Sequence, residues 1–228
     1  MTGNEDESTG VLDRAVRRSL VRLVVVALLT IAASSCTDSD DAPERTDSRN
    51  GPASTPGAVS GPLCDQLPTG TDPGGPATLT SEPADAALEW IPVLTIFEAG
   101  ARASGLAADL RATDGVTILA PTDDAFTTTF SRATLDELLI SRRGELRALL
   151  RAHMIDGQLS LAELLDAGSV TTLAGNSLNV SPADTMARLD DRAETVCADY
   201  RVANARIHVI DGVLGELPEA AQDGAPSD

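Results

Sequence analysis

The chain predicts an α+β fold, and three observations carry the prediction. Between residues 62 and 218 the helix-period patterns come first and the strand-like runs later, the order expected when helices and sheet are segregated. Hydrophobic residues fill 42% of the 228 positions but aromatics only 2%, so one real core is affordable and must be built from Leu, Val, Ile and Ala. The third observation is a pair of apolar blocks far apart in the chain. One is Val116-Thr117-Ile118-Leu119-Ala120-Pro121-Thr122-Asp123-Asp124-Ala125-Phe126; the other is Ile207-His208-Val209-Ile210-Asp211-Gly212-Val213-Leu214.

Each element has a local reason. Ala86 to Ala103 reads as helical, with Leu88, Ile91, Leu94 and Ala99 on one stripe, and Pro92 predicts a break or a fresh start within it. Leu106 to Leu110 is a short helical turn. Val116 to Ala120 is strand-like and Pro121 ends it. Thr122 then suits an N-cap, with Asp123 and Asp124 in a first turn where the helix dipole favours acids; Phe126 can turn back onto the strand. Helices continue at Leu135 to Leu139 and Glu145 to Arg151. Leu146, Leu149, Leu150 and His153 fall at i, i+3, i+4 and i+7, so His153 should enter the core and need hydrogen-bond partners there. Ser160 caps Leu161 to Ala167, which Gly168 closes. Strands are predicted at Val170 to Leu173, Ser177 to Val180, Glu194 to Cys197, Arg201 to Ala203 and Ala205 to Ile210, with His208 half-exposed on the last.

The first 35 residues read as a targeting segment. Arg14, Arg17, Arg18 and Arg22 precede an apolar run, Leu23 to Ala33, that would span only about 16 Å as a helix, too short to cross a bilayer. A basic stretch, a short apolar core and small residues make a secretory signal, and Arg17-Arg18 loosely suits a twin-arginine type. Ala33-Ser34-Ser35-Cys36 resembles a bacterial lipobox, with Ala33 where leucine is usual, and implies acylation of Cys36. Residues 36–61 are then an acidic tether too poor in apolar side chains to offset its ordering entropy, and residues 219–228 are a similar flexible tail. Asp38, Asp40 and Asp41 lack the alternating carboxylates and glycine turn of a calcium loop.

Net charge is −18, with an isoelectric point near 4.3, which disfavours nucleic acid. All 17 basic residues are Arg, a bias of a GC-rich genome rather than of function. No Gly-x-Ser-x-Gly elbow, phosphate loop or dinucleotide fingerprint occurs, and His153 and His208 lack metal-ligand spacing. Asp190-Asp191 reads as a solvated loop near Pro182 and Arg192. Neither cofactor nor metal is expected.

Taken together, the two blocks and Thr172-Leu173-Ala174-Gly175-Asn176-Ser177-Leu178-Asn179-Val180 resemble the fasciclin domain over about 155 positions, 62–218. The resemblance implies a β-wedge packed against several α-helices, and an extracellular module of adhesion. Thr122, Phe126, His153 and Asp211 become structural core positions. Asp123 stands where that family usually has Asn. The family often has Tyr-His in the central segment, a pair linked to receptor binding in animal members; here Ala152 precedes His153, so an integrin-type role is not implied. Cys64 and Cys197 resemble the cysteines of secreted actinobacterial single-domain fasciclin antigens. With Cys36 acylated, they are the two thiols left in an exported domain, and a disulfide between them is expected.

The functional expectation is a lipid-anchored, non-catalytic module on the outer face of the cell membrane. Its folded domain would be monomeric and would bind a protein or cell-envelope component. Two other readings have their own signatures: a small-ligand or lipid-binding protein needs an apolar cavity of several hundred Å³, and a wall hydrolase needs clustered carboxylates in a cleft.

Overall fold

Strand β1 (Val116–Pro121) is buried along its whole length, because structure covers both of its faces. The computed structural model describes residues 58–217; the expected signal segment 1–35, Cys36, the tether up to residue 57 and the tail 219–228 lie outside these residues. Helices α1 (Pro76–Leu79), α2 (Ala84–Leu88), α3 (Thr95–Ala103) and α4 (Leu106–Ala112) precede β1. Helices α5 (Asp123–Thr129), α6 (Arg132–Ile140) and α7 (Arg143–Arg151) follow it. Then come β2 (Met154–Asp156), α8 (Leu161–Ala167), β3 (Ser169–Thr171), β4 (Ser177–Ala183), β5 (Met186–Leu189), β6 (Ala193–Arg201) and β7 (Ala205–Ile210). The fold is α+β.

The seven strands run in the order β2-β1-β7-β6-β5-β4-β3. Within this order β1 and β7 are parallel, Val116 opposite Ala205, and the other neighbours are antiparallel. The two ends of the strip meet: Ile155 of β2 bridges Thr172, and the Leu173 N–H donates to the Met154 carbonyl at 2.7 Å. The sheet therefore folds on itself as a wedge.

Two buried clusters result. On the outer face, Ile118, Ala120, Ile207 and Val209 pack with Leu88, Leu94, Phe97, Leu106, Leu146 and Leu150 from the helices. Inside the wedge, Leu119 and Ile210 point the other way, toward Leu161 and Leu164 of α8 and Leu178, Val180, Met186 and Leu189 of the hairpins. A strand buried on both faces loses the alternation that marks a half-exposed one. This corrects the expectation for His208: it is fully buried, its ring turned into the wedge side.

Other boundaries shift for identifiable reasons. The helical stretch Ala86 to Ala103 is two helices, interrupted at Glu89 to Leu94 around Pro92. The strands expected at Glu194 to Cys197 and Arg201 to Ala203 are one nine-residue strand, β6, bent by two register shifts near Cys197; Asp199 takes a φ of 72° there. Short strands β2 and β5 give too few residues for a period to show. Pairing also starts ahead of residue 62, since Ser60 bridges Ala198 of β6. Gly61 permits it: a Cβ there would lie 2.4 Å from the Val196 carbonyl oxygen. Asp190 and Asp191 have φ of 50° and 54° and turn the β5–β6 hairpin; the Asp190 carboxylate accepts the Asn179 N–H at 2.8 Å.

Candidate functional site

The end of β1 is where the two sequence blocks meet. Pro121 stops the strand, and the Thr122 Oγ1 accepts the Ala125 N–H at 3.1 Å, capping α5. The Thr122 N–H donates to the Ile210 carbonyl at 3.0 Å, which ties the first block to the end of β7. Asp123 reaches the other way. Its N–H donates to the Val93 carbonyl at 2.8 Å, and its carboxylate accepts the Thr95 hydroxyl at 2.6 Å and the Ile96 N–H at 2.7 Å. Leu94, the N-cap position of α3, offers no side-chain cap; Asp123 supplies one from across the chain. Asp211, expected in the core, is exposed instead and acts at the strand ends, its carboxylate accepting the Glu194 N–H at 2.7 Å. Phe126 is buried in the helix-side cluster, stacked on Phe130 with ring centroids 6.3 Å apart.

Cys64 and Cys197 form a disulfide with Cα atoms 5.1 Å apart. The bridge lays a 3-10 turn, Cys64–Gln66, on β6, where the Leu63 N–H donates to the Val196 carbonyl at 2.9 Å. Between this turn and the end of β1 lies an open groove of about 520 Å³. Its apolar walls are Pro62, Leu63, Pro92, Val93 and Val196, its acidic side is Asp123, Asp124 and Asp211, and Thr122 and Gln66 complete it. Asp124 is exposed and no ion pair among the described residues engages any of the three carboxylates.

The two histidines lie elsewhere. His153 is fully buried; its Nδ1 is 2.8 Å from the Leu149 carbonyl and its Nε2 accepts the Leu214 N–H at 2.8 Å. Burial lowers its pKa to about 4, so the ring is neutral at physiological pH. His208 accepts the Asp199 N–H at Nδ1 (3.3 Å), and its Nε2 is 2.9 Å from the Leu159 carbonyl; burial lowers its pKa too. Among the described residues no group of three His, Cys, Asp or Glu could hold a metal ion, and no helix is long and apolar enough to cross a membrane. A second hollow, about 400 Å³, lies over Ala152 between α7 and Asn176.

The groove draws Thr122, Asp123, Asp124 and Asp211 from the sequence blocks but its apolar walls from segments with no motif. One signal could have found them: pairing Cys64 with Cys197 already places residues 62 and 63 beside Val196.

The profile described as Fasciclin domain matches residues 92–216, more than half of the chain. The chain belongs to the fasciclin-domain family. The match takes in the groove's Pro92 and Val93, the end of β1 and Asp211, while Pro62, Leu63 and the first cysteine of the disulfide precede it. Among curated proteins, the fasciclin chain is 32% identical over 117 residues to Protein sll1483 of Synechocystis sp., covering 51% of this chain and 63% of that protein. It is 37% identical over 73 residues to mouse Stabilin-1, covering 32% of this chain and 3% of that protein. The chain thus spans less than two thirds of either relative. A solved FAS1 domain pair from the insect cell adhesion molecule Fasciclin I aligns at a TM-score of 0.43 and 23% identity, over 57% of this chain and 48% of that one.

Proposed function

We propose that this fasciclin-domain protein is a lipid-anchored module on the extracytoplasmic face of the cell membrane. It acts by surface contact, in adhesion or in binding a protein or envelope component, without turnover. The observation that carries the reading is the state of the groove's acids. Asp123 and Asp211 spend their carboxylates on the backbone N–H groups of Ile96 and Glu194, as parts of the fold. Hydrolysis by paired carboxylates needs two that are free to act on a substrate, and only Asp124 stands free of such a bond. What is left is an open apolar trough with an acidic edge, suited to contact. Cys36, at the end of an apolar run and small residues, supports the anchor.

The test pairs two measurements. The purified protein is titrated onto isolated envelope fractions, and the same preparation is screened against wall-polymer and ester substrates. Saturable binding with no turnover is expected; turnover abolished by Asp124→Asn would overturn the reading. For the anchor, wild type and Cys36→Ala are followed by metabolic acyl labelling and fractionation, and the label and membrane association should both depend on Cys36. A wild type that takes up no label and stays in the medium would remove the lipid from the proposal. The groove's volume of about 520 Å³ favours one second reading, a small apolar ligand, because ligand sites commonly span roughly 300–1,000 Å³. A lipid or sterol co-purifying with the protein would decide for it.

A further inference from the structure

We infer that the groove beside the Cys64–Cys197 bridge takes a short basic peptide segment of a partner protein, one that sets an apolar side chain next to Arg or Lys. The inference rests on the surface-contact reading above and adds the chemistry of the partner.

The argument is charge and shape in one place. The walls keep Pro62 and Pro92 exposed and Leu63, Val93 and Val196 only half-buried, so a contiguous apolar strip faces solvent. No basic residue lines the groove, although the hollow next to it, which shares Asp211, contains Arg188 and Arg192. There Arg188 pairs with Glu194, while Arg192 donates to the neutral Gly215 carbonyl and keeps its charge on the Asp211 side. At the other end of the edge, Asp123 and Asp124 have no ion-pair partner among the described residues, on a chain whose net charge is −18. A neutral apolar ligand would cover the trough and leave those carboxylates facing it. An anionic lipid headgroup or nucleic acid would be repelled. An arginine or lysine satisfies both requirements at once, its methylene stem lying along the prolines and its head reaching the carboxylates. A following Leu, Val or Pro fills the remaining trough.

The groove is also held ready. Asp123 is fixed by α3 and Asp211 by β6, while the disulfide fixes the facing wall. A site whose walls need no ordering on binding loses less entropy when its ligand arrives.

The probe is a fluorescein-labelled octapeptide, Arg-Leu-Pro-Val repeated twice, added to the full chain purified in detergent and read by anisotropy. Two further octapeptides carry Glu or Gln in place of both arginines. Trp90, the single tryptophan of the chain and 52% exposed, lies two residues before Pro92 and gives a second, label-free signal. The Arg peptide should bind saturably, and raising salt from about 50 to about 500 mM should weaken it about tenfold. Asp124→Arg, a change at an exposed side chain that bonds nothing in the fold, should weaken the Arg peptide and let the Glu peptide bind. Equal binding of all three peptides, or binding of none, would overturn the inference. Envelope binding that Asp124→Arg leaves unchanged would overturn it as well, while the surface-contact reading stands. Failure of the wild type to bind envelope, with the peptide charge swap intact, would sink that reading and keep the groove.

Discussion

The two buried histidines sit on opposite faces of the sheet and solve one problem in mirror fashion. In the helix-side region, His153 follows the C-cap of α7, and its ring packs edge-on against Phe97 with centroids 6.3 Å apart. In the wedge, His208 belongs to β7, which is buried everywhere but at Arg206. A carbonyl only accepts and an amide only donates, so the partners dictate the proton. His153 must donate from Nδ1 to Leu149 and accept at Nε2 from Leu214; His208 must donate from Nε2 to Leu159 and accept at Nδ1 from Asp199. Opposite tautomers do equivalent work, joining backbone segments that secondary structure leaves apart. The difference lies in what else holds each region. The helix-side cluster contains the disulfide and the larger share of the buried side chains; the wedge is held by short hairpins and the capping box of Ser160 with Glu163 on α8.

The largest test of that contrast removes the covalent tie. Cys64→Ser with Cys197→Ser should lower unfolding free energy by roughly 3–5 kcal/mol, given the long loop the bridge closes. Hydrogen exchange should then rise first in β6 and the turn over it, with the wedge hairpins little changed. Equal loosening throughout would mean that the two clusters open as one.

Acid is the next lever. His153 has a folded pKa of about 4 against 6.5 when unfolded, so the unfolded chain takes the proton first and falling pH favours it. Stability is fully present above pH 6.5 and is lost toward pH 4, on the order of 3 kcal/mol from this group. His208 shifts in the same direction and adds to the loss. Chemical denaturation across that window should show the slope, and His153→Gln should flatten part of it.

Removing either ring comes below that. His153→Ala or His208→Ala leaves a carbonyl and an amide without their partner, and each should cost about 1–3 kcal/mol. Nitrogen-15 shifts of the imidazoles would reveal the tautomers directly; finding the same one at both positions would break the comparison. Smallest of all, Asp123→Ala should cost about 0.5–2 kcal/mol through the lost cap on α3, and Asp123→Asn less, because one acceptor oxygen is kept.

These contrasts also explain what could be read in advance. The elements around β1 were legible because their signals are local: Pro121 stops a strand, Thr122 starts a helix, and Gly168 closes one. His208 was misread because alternation assumes one wet face, and β7 has none. Strands β2 and β5 were missed because three or four residues carry no period. The groove was legible only in part: the expected Cys64–Cys197 pair sets Pro62 and Leu63 beside Val196, but nothing in the sequence joins them to Pro92 and Val93. Its walls come from segments on either side of the disulfide and from the break after α2, and no property of Leu63, Val93 or Val196 alone marks them as neighbours.

The parallel pairing of Val116 with Ala205 has a consequence for how the domain is made. Strand β1 is the first strand to be synthesised, but its parallel neighbour β7 arrives only when the last strand has emerged. Until then β1 has no partner on that edge, and both clusters lack the side chains that β7 contributes to each. Contacts so distant in sequence are slow to form, because the chain between them must first be closed into a loop. A chain cut before Ala205 should therefore keep scattered helices and bind a hydrophobic dye, whereas one extended past Leu214 should fold cooperatively.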